Sequence, residues 1–156
     1  MRIGILREEK IPSDERVVLT PKQCKWITEN TNIDLVVKSS DIRCFPDSDY
    51  SNLGIEVVNN LSDCDILLGV KEVPISSLIS DKIYFYFSHT IKEQSYNREL
   101  LQAMVQKNIT MIDYEVLKDK NNKRLIGFGR YAGIVGAYNA LLTYGLKSDK
   151  FFLKAA

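Results

Sequence analysis

The one histidine of the chain, His89, follows Lys71 by 18 positions, and each closes a short apolar run: Asp65-Ile-Leu-Leu-Gly-Val-Lys71 and Lys82-Ile-Tyr-Phe-Tyr-Phe-Ser-His89. A histidine, and a lysine partly desolvated beside another cationic group, can both give and take protons near neutral pH. Side by side, two such groups suit proton transfer at a carbonyl or imine carbon. Arg16 and Arg124 are the candidates for binding a substrate carboxylate, because a guanidinium offers two parallel donors where an ammonium offers a point charge. Glu72 and Glu115 also lie at run ends, where they would offset the positive charge of such a site or hold the lysine; ordinary surface pairing is an equal reading for each.

What must position these residues is a set of buried strands. Nearly continuous apolar runs bounded by polar residues are the pattern of strands covered on both faces in a parallel sheet. In an open parallel sheet the carboxyl ends of the strands open onto the ligand crevice. The expected strands are Arg2 to Leu6, Ile33 to Lys38, Ile55 to Val58, Ile66 to Val70, Ile83 to Phe87 and Ile109 to Ile112. Thr20 is placed to cap a helix from Pro21 to about Asn30, with proline at its first position. The polar segment from Ser39 to Asn52 has room for a short helix. Leu100, Leu101, Met104 and Val105 recur at helical spacing and predict a helix over Glu93 to Lys107. The turn-rich Asp119-Lys-Asn-Asn-Lys123 predicts a β-hairpin near residues 114–127, and a small-residue helix should run from about Tyr131 to Tyr144. Strands alternating with helices make this an α/β chain: a mainly parallel sheet flanked by helices on both faces, flavodoxin-like or Rossmann-like.

With 156 residues, 45% of them hydrophobic, the chain is one domain's worth with enough apolar content for a core. A net charge of +1, from 21 basic and 20 acidic residues, gives no electrostatic argument for nucleic acid or a membrane surface as partner. No run approaches the roughly 18 apolar residues of a membrane span. Cys24, Cys44 and Cys64 have no metal-ligand spacing and read as reduced thiols of a cytoplasmic protein, so no metal site is expected.

Gly127-Phe-Gly129-Arg-Tyr-Ala132 fits a dinucleotide fingerprint ahead of a helix. Against it, the preceding Leu125-Ile126 is too short for the expected strand, and no acidic residue ends a strand about 20 positions on. The plainer reading is a helix face of Gly129, Ala132, Gly133, Gly136 and Ala137 packed against a neighbour.

Several stretches carry a resemblance: Ile3-Gly-Ile-Leu-Arg-Glu8, Glu15-Arg16-Val-Val-Leu-Thr-Pro21, Gly69-Val-Lys71-Glu72-Val-Pro74, Phe87-Ser-His89-Thr90, Asp113-Tyr-Glu115 and Arg124-Leu-Ile-Gly-Phe-Gly-Arg-Tyr-Ala-Gly133. Together they resemble the N-terminal, substrate-binding domain of the alanine dehydrogenase, pyridine nucleotide transhydrogenase and saccharopine dehydrogenase family. The later stretches look most like the saccharopine dehydrogenase and lysine-ketoglutarate reductase branch. The resemblance implies that Lys71 and His89 are the acid/base pair, that Arg16 and Arg124 take substrate carboxylates, and that Glu72 and Glu115 tune the charge of the site. It also implies NAD or NADP in the parent enzyme, held by a dinucleotide-binding domain that follows in the chain. Residues 1–156 would then be a single N-terminal domain, without a cofactor of its own and inactive alone. The expected partners are a small amino acid or 2-oxo acid and that following domain, with a homo-oligomer as a further expectation. The alternatives are the N-terminal domain of an alanine dehydrogenase, or a non-catalytic α/β module that binds a small acid or another protein.

Overall fold

The computed structural model of the chain describes residues 1–154, which form two compact units, Met1–Leu117 and the residues from Lys118 on. The first unit holds a six-stranded sheet: β1 (Arg2–Ile5), β2 (Asp34–Lys38), β3 (Glu56–Val58), β4 (Ile66–Lys71), β5 (Ile83–Phe87) and β6 (Thr110–Asp113). All neighbouring pairs are parallel, in the order β3-β2-β1-β4-β5-β6. The order reverses between β1 and β4, which makes their carboxyl ends the topological switch point.

Helices cover both faces, as the apolar patterning requires. One face packs Ile5, Leu35 and Val37 against Cys24 of α1 (Pro21–Asn30) and Tyr50 of α2 (Asp47–Ser51). The other packs Val36, Leu67, Tyr84 and Tyr86 against Leu100, Ala103 and Met104 of α3 (Arg98–Gln106), whose spacing places them on one stripe. The start of α1 is fixed as expected: the Thr20 side chain accepts the Gln23 N–H, and Gln23 Oε1 accepts the Thr20 N–H at 2.8 Å. At Gly4 of β1 an added Cβ would lie 2.9 Å from a Leu61 methyl group and 3.0 Å from Cys64 Sγ, so the close approach of that segment needs glycine.

Two elements differ from the sequence reading. The helix expected from Glu93 starts only at Arg98, because His89 and Glu93 adopt the left-handed backbone region and split residues 90–97 into two 3-10 turns. The hairpin expected near residues 114–127 is one antiparallel bridge, Lys118 to Arg124. Tyr114–Val116 form a 3-10 turn instead of a strand, and the Asp119 side chain closes the loop by accepting the N–H groups of Asn121 and Lys123, both at 2.9 Å. In the second unit, α4 spans Gly129–Ser148. A Cβ added at Gly129, Gly133 or Gly136 would meet no atom within 4 Å, so the expected close packing of that face is not formed among the described residues. Gly145 is the helical glycine that is tightly approached, by Phe151.

Candidate active site

Lys71 is the last residue of β4, and His89 lies just beyond the end of the adjacent β5. The register between these strands shifts after Leu68, bringing Lys71 opposite Phe87. Lys71 Nζ is 3.0 Å from His89 Nε2. The other ring nitrogen, Nδ1, is 2.9 Å from Glu115 Oε2. A carboxylate can only accept, so the Glu115 contact calls for a proton on Nδ1, whereas the ammonium of Lys92, which can only donate, calls for Nδ1 without one. Lys71 and His89 are thus joined by one hydrogen bond, along which a single proton can pass.

Glu115 is held below the usual carboxylate range by His89 and then by Lys92, whose Nζ is 3.2 Å from Oε1. Lys92 Nζ is also 3.2 Å from His89 Nδ1. Lys71, His89, Glu115 and Lys92 thus form one continuous polar chain. Phe87 supplies its apolar wall, with its ring stacked near His89 at 6.3 Å and its centroid 6.0 Å from Lys71 Nζ.

Buried polar groups behind this chain set its geometry. Ser88 Oγ donates to Asp113 Oδ2 at 2.6 Å, while Asp113 Oδ1 accepts the Glu115 N–H at 2.7 Å. One carboxylate therefore fixes the loops that carry both His89 and Glu115. The buried Asn97 donates to the His89 carbonyl at 3.2 Å, holding the left-handed turn. On the β1 side, the buried Glu8 accepts the N–H groups of Val70 at 2.7 Å and Lys71 at 2.9 Å. Burial raises its carboxyl above the usual range in spite of those two bonds.

The other expected residues divide. Arg16 pairs with Asp14, Nε to Oδ1 at 2.8 Å, and its charge acts on Glu8, while the Lys71 charge acts on Asp14. Arg16 is thus within electrostatic reach of the Glu8 carboxyl that holds the end of β4. Glu72 makes the surface pairing that is one of its two readings: it pairs with Lys10 at 2.6 Å, since successive residues of an extended chain leave on opposite sides. Arg124 lies in the second unit, at the backbone bridge to Lys118. The same unit holds Gly127 to Ala132, where α4 begins with no strand leading into it among the described residues. Sequence reading missed Glu8, Asn97, Asp113 and Lys92 as parts of the site. For Glu8, Asn97 and Asp113 the signal available was an acidic or amide residue close to a buried strand or a site loop; Lys92 carried none.

A family model, described as alanine dehydrogenase/PNT, N-terminal domain, matches residues 4–135. An alpha-aminoadipic semialdehyde synthase of Arabidopsis thaliana is 35% identical over 97% of this chain, which spans 14% of that protein. A saccharopine dehydrogenase [NAD(+), L-lysine-forming] of Yarrowia lipolytica is 28% identical over 91% of this chain and 40% of its own length. The chain thus spans well under half of the curated relatives it matches. A solved L-alanine dehydrogenase has the same fold, with a TM-score of 0.64 and 23% identity over 79% of this chain and 35% of that one. Taken with the parallel sheet and the residues at its carboxyl edge, the match over residues 4–135 shows that this chain belongs to the alanine dehydrogenase/PNT N-terminal domain family.

Proposed function

We propose that this chain is the substrate-binding, acid/base-carrying half of an NAD(P)-dependent amino-acid dehydrogenase that acts on a carbon–nitrogen bond, of the saccharopine dehydrogenase type. The observation that carries the reading is the 3.0 Å contact between Lys71 Nζ and His89 Nε2, continued at 2.9 Å to Glu115. Two groups one proton apart, beside a carboxylate that stabilises the imidazolium, form a relay. Lys71 would hold or move a proton at the substrate nitrogen or carbonyl oxygen, with His89 as its exchange partner. Arg16 would take a substrate carboxylate in exchange for part of its pairing with Asp14, and Arg124 is the second candidate for that task.

The nicotinamide cofactor of such an enzyme supplies the hydride. The residues of this chain do not fit its dinucleotide. The loop after β1 runs Leu6-Arg-Glu-Glu-Lys10 without a glycine, and the segment Gly127 to Ala132 lacks its strand. Cofactor binding therefore falls to a separate dinucleotide-binding domain of the parent enzyme.

The chain's single histidine makes the test direct, because the imidazole of His89 gives one set of ring resonances. Titration with saccharopine, or with lysine plus 2-oxoglutarate, should move those resonances saturably. A response to alanine and pyruvate alone would transfer the reading to an alanine dehydrogenase. No saturable response to any of them would overturn the assignment of Lys71 and His89 as a substrate site.

A further inference from the structure

We infer that the chain carries a second binding site, for a small organic oxyanion, in the cavity at the carboxyl ends of β1, β2 and β3. The cavity measures about 210 Å³. That lies below the ~300–1,000 Å³ of pockets for drug-sized ligands, so its occupant is small. It opens at the sheet's switch point, where α/β sheets take ligands; Arg7, Glu9, Lys38 and Asn59 line it from the β1–β3 side, and Val73, Ser77 and Ile79 from the segment after β4.

Its polar wall is pre-assembled. Glu9 Oε1 accepts from Lys38 Nζ at 2.8 Å and from Arg7 Nη2 at 3.0 Å, and Oε2 accepts from Ser77 Oγ at 2.8 Å. Both oxygens of Glu9 are engaged, and its effect is to hold two cations at the cavity wall. Two positive groups against one carboxylate leave a net charge of +1 there. Lys38 keeps two ammonium protons, Arg7 keeps its Nη1 protons, and the Asn59 side-chain amide makes no hydrogen bond among the described residues. These unspent groups are donors, or an amide that can turn to donate, and they outnumber the lone pair left on Glu9 Oε2; donors around a net positive charge select an oxyanion. The remaining wall, from Leu6, Leu61, Val73 and Ile79, is apolar and suits a short hydrocarbon stem. A carboxylate and a phosphate ester share this head-group chemistry.

The experiment is a titration of the 156-residue chain with inorganic phosphate, acetate and butyrate, read from the backbone amide resonances. Saturable shifts centred on Arg7, Lys38, Asn59 and Ser77 are expected. Butyrate should bind more tightly than acetate, by up to about fourfold for each methylene that reaches the apolar wall. Saturation by phosphate alone would support the site and assign it to phosphate esters; saturation by the carboxylates alone would support it and assign it to carboxylates. Lys38→Met should weaken binding about tenfold or more. Asn59→Asp breaks no internal bond and should do the same by charge repulsion, so the test survives a folding defect in the first variant. Lys71→Met should leave this binding unchanged, which separates the site from the proposed catalytic one. Linear, unsaturated shifts, or shifts centred on Lys71 and His89, would overturn the proposal.

Discussion

Glu8 Oε2 accepts the backbone N–H of Lys71 at 2.9 Å, and its partner oxygen takes the N–H of Val70 at 2.7 Å. One buried carboxylate from the loop after β1 therefore fixes the strand end from which Lys71 projects. Glu8→Gln keeps the shape but turns an amide N–H₂ toward one of these donors, leaving an unsatisfied pair in a buried place. A loss of about 1–3 kcal/mol is expected in urea unfolding. Burial raises the Glu8 carboxyl, so the folded state holds this proton more tightly than the unfolded one. Its contribution to stability is complete below the unfolded pKa and falls as pH rises through the raised folded value. Glu8→Gln should remove that fall.

Lys71→Met removes the titratable group while keeping most of the side-chain volume. In an enzyme carrying this chain, folding should persist and turnover should fall by about 10²- to 10⁴-fold, the usual range of general acid/base contributions. Normal turnover with lysine plus 2-oxoglutarate and with alanine would refute the proposed role.

Arg16→Lys keeps the positive charge but loses the fork that now spans both oxygens of Asp14. The larger change should be in KM for the amino acid or oxo acid, with a smaller one in kcat. Steady-state kinetics would thus separate this variant from Lys71→Met, and an unchanged KM would remove Arg16 from the substrate site.

Gly4→Val places a branched side chain where even a Cβ would stand 2.9 Å from Leu61 and 3.0 Å from both Cys64 and Leu67. Overpacking of this kind costs about 1–3 kcal/mol. The midpoint of urea unfolding should drop, while the Lys71–His89 contact, at the other end of the strands, should persist in the His89 ring resonances.

The sheet was legible because each strand is a short, nearly continuous apolar run, and that pattern depends only on neighbours in sequence. Lys71 and His89 were legible for the same reason: polar groups that end such runs must surface at the carboxyl edge. Glu8 was not. It stands in a charged stretch, Arg7 to Arg16, that reads as solvated loop, and its partners Val70 and Lys71 lie more than sixty positions away. Asp113 was quoted only as part of a motif, since nothing local shows that one carboxylate receives both Ser88 and the Glu115 N–H. The hairpin reading failed because turn residues around Asp119 are compatible with a side-chain-closed loop as well as with paired strands, and no periodicity in Leu125-Ile126 chose between them.

Glu9, next to Glu8, should respond to pH in the opposite sense. Burial alone would raise its carboxyl, but hydrogen bonds from Lys38, Ser77 and Arg7 prevail and bring it down to about 2. A carboxyl depressed on folding adds stability above its unfolded value, which is lost as pH falls toward the folded one. Here that window runs from 4.5 down to about 2. Wild type should therefore lose stability across this range more steeply than Glu9→Gln, which has no proton to take up. Because the surrounding cations are partly solvated, salt should reduce the difference. The comparison calls for urea unfolding of both proteins at several pH values between these limits. Equal slopes would mean that Glu9 is not ionised in the network, and would also remove the anchor that holds Lys38 and Arg7 at the cavity wall.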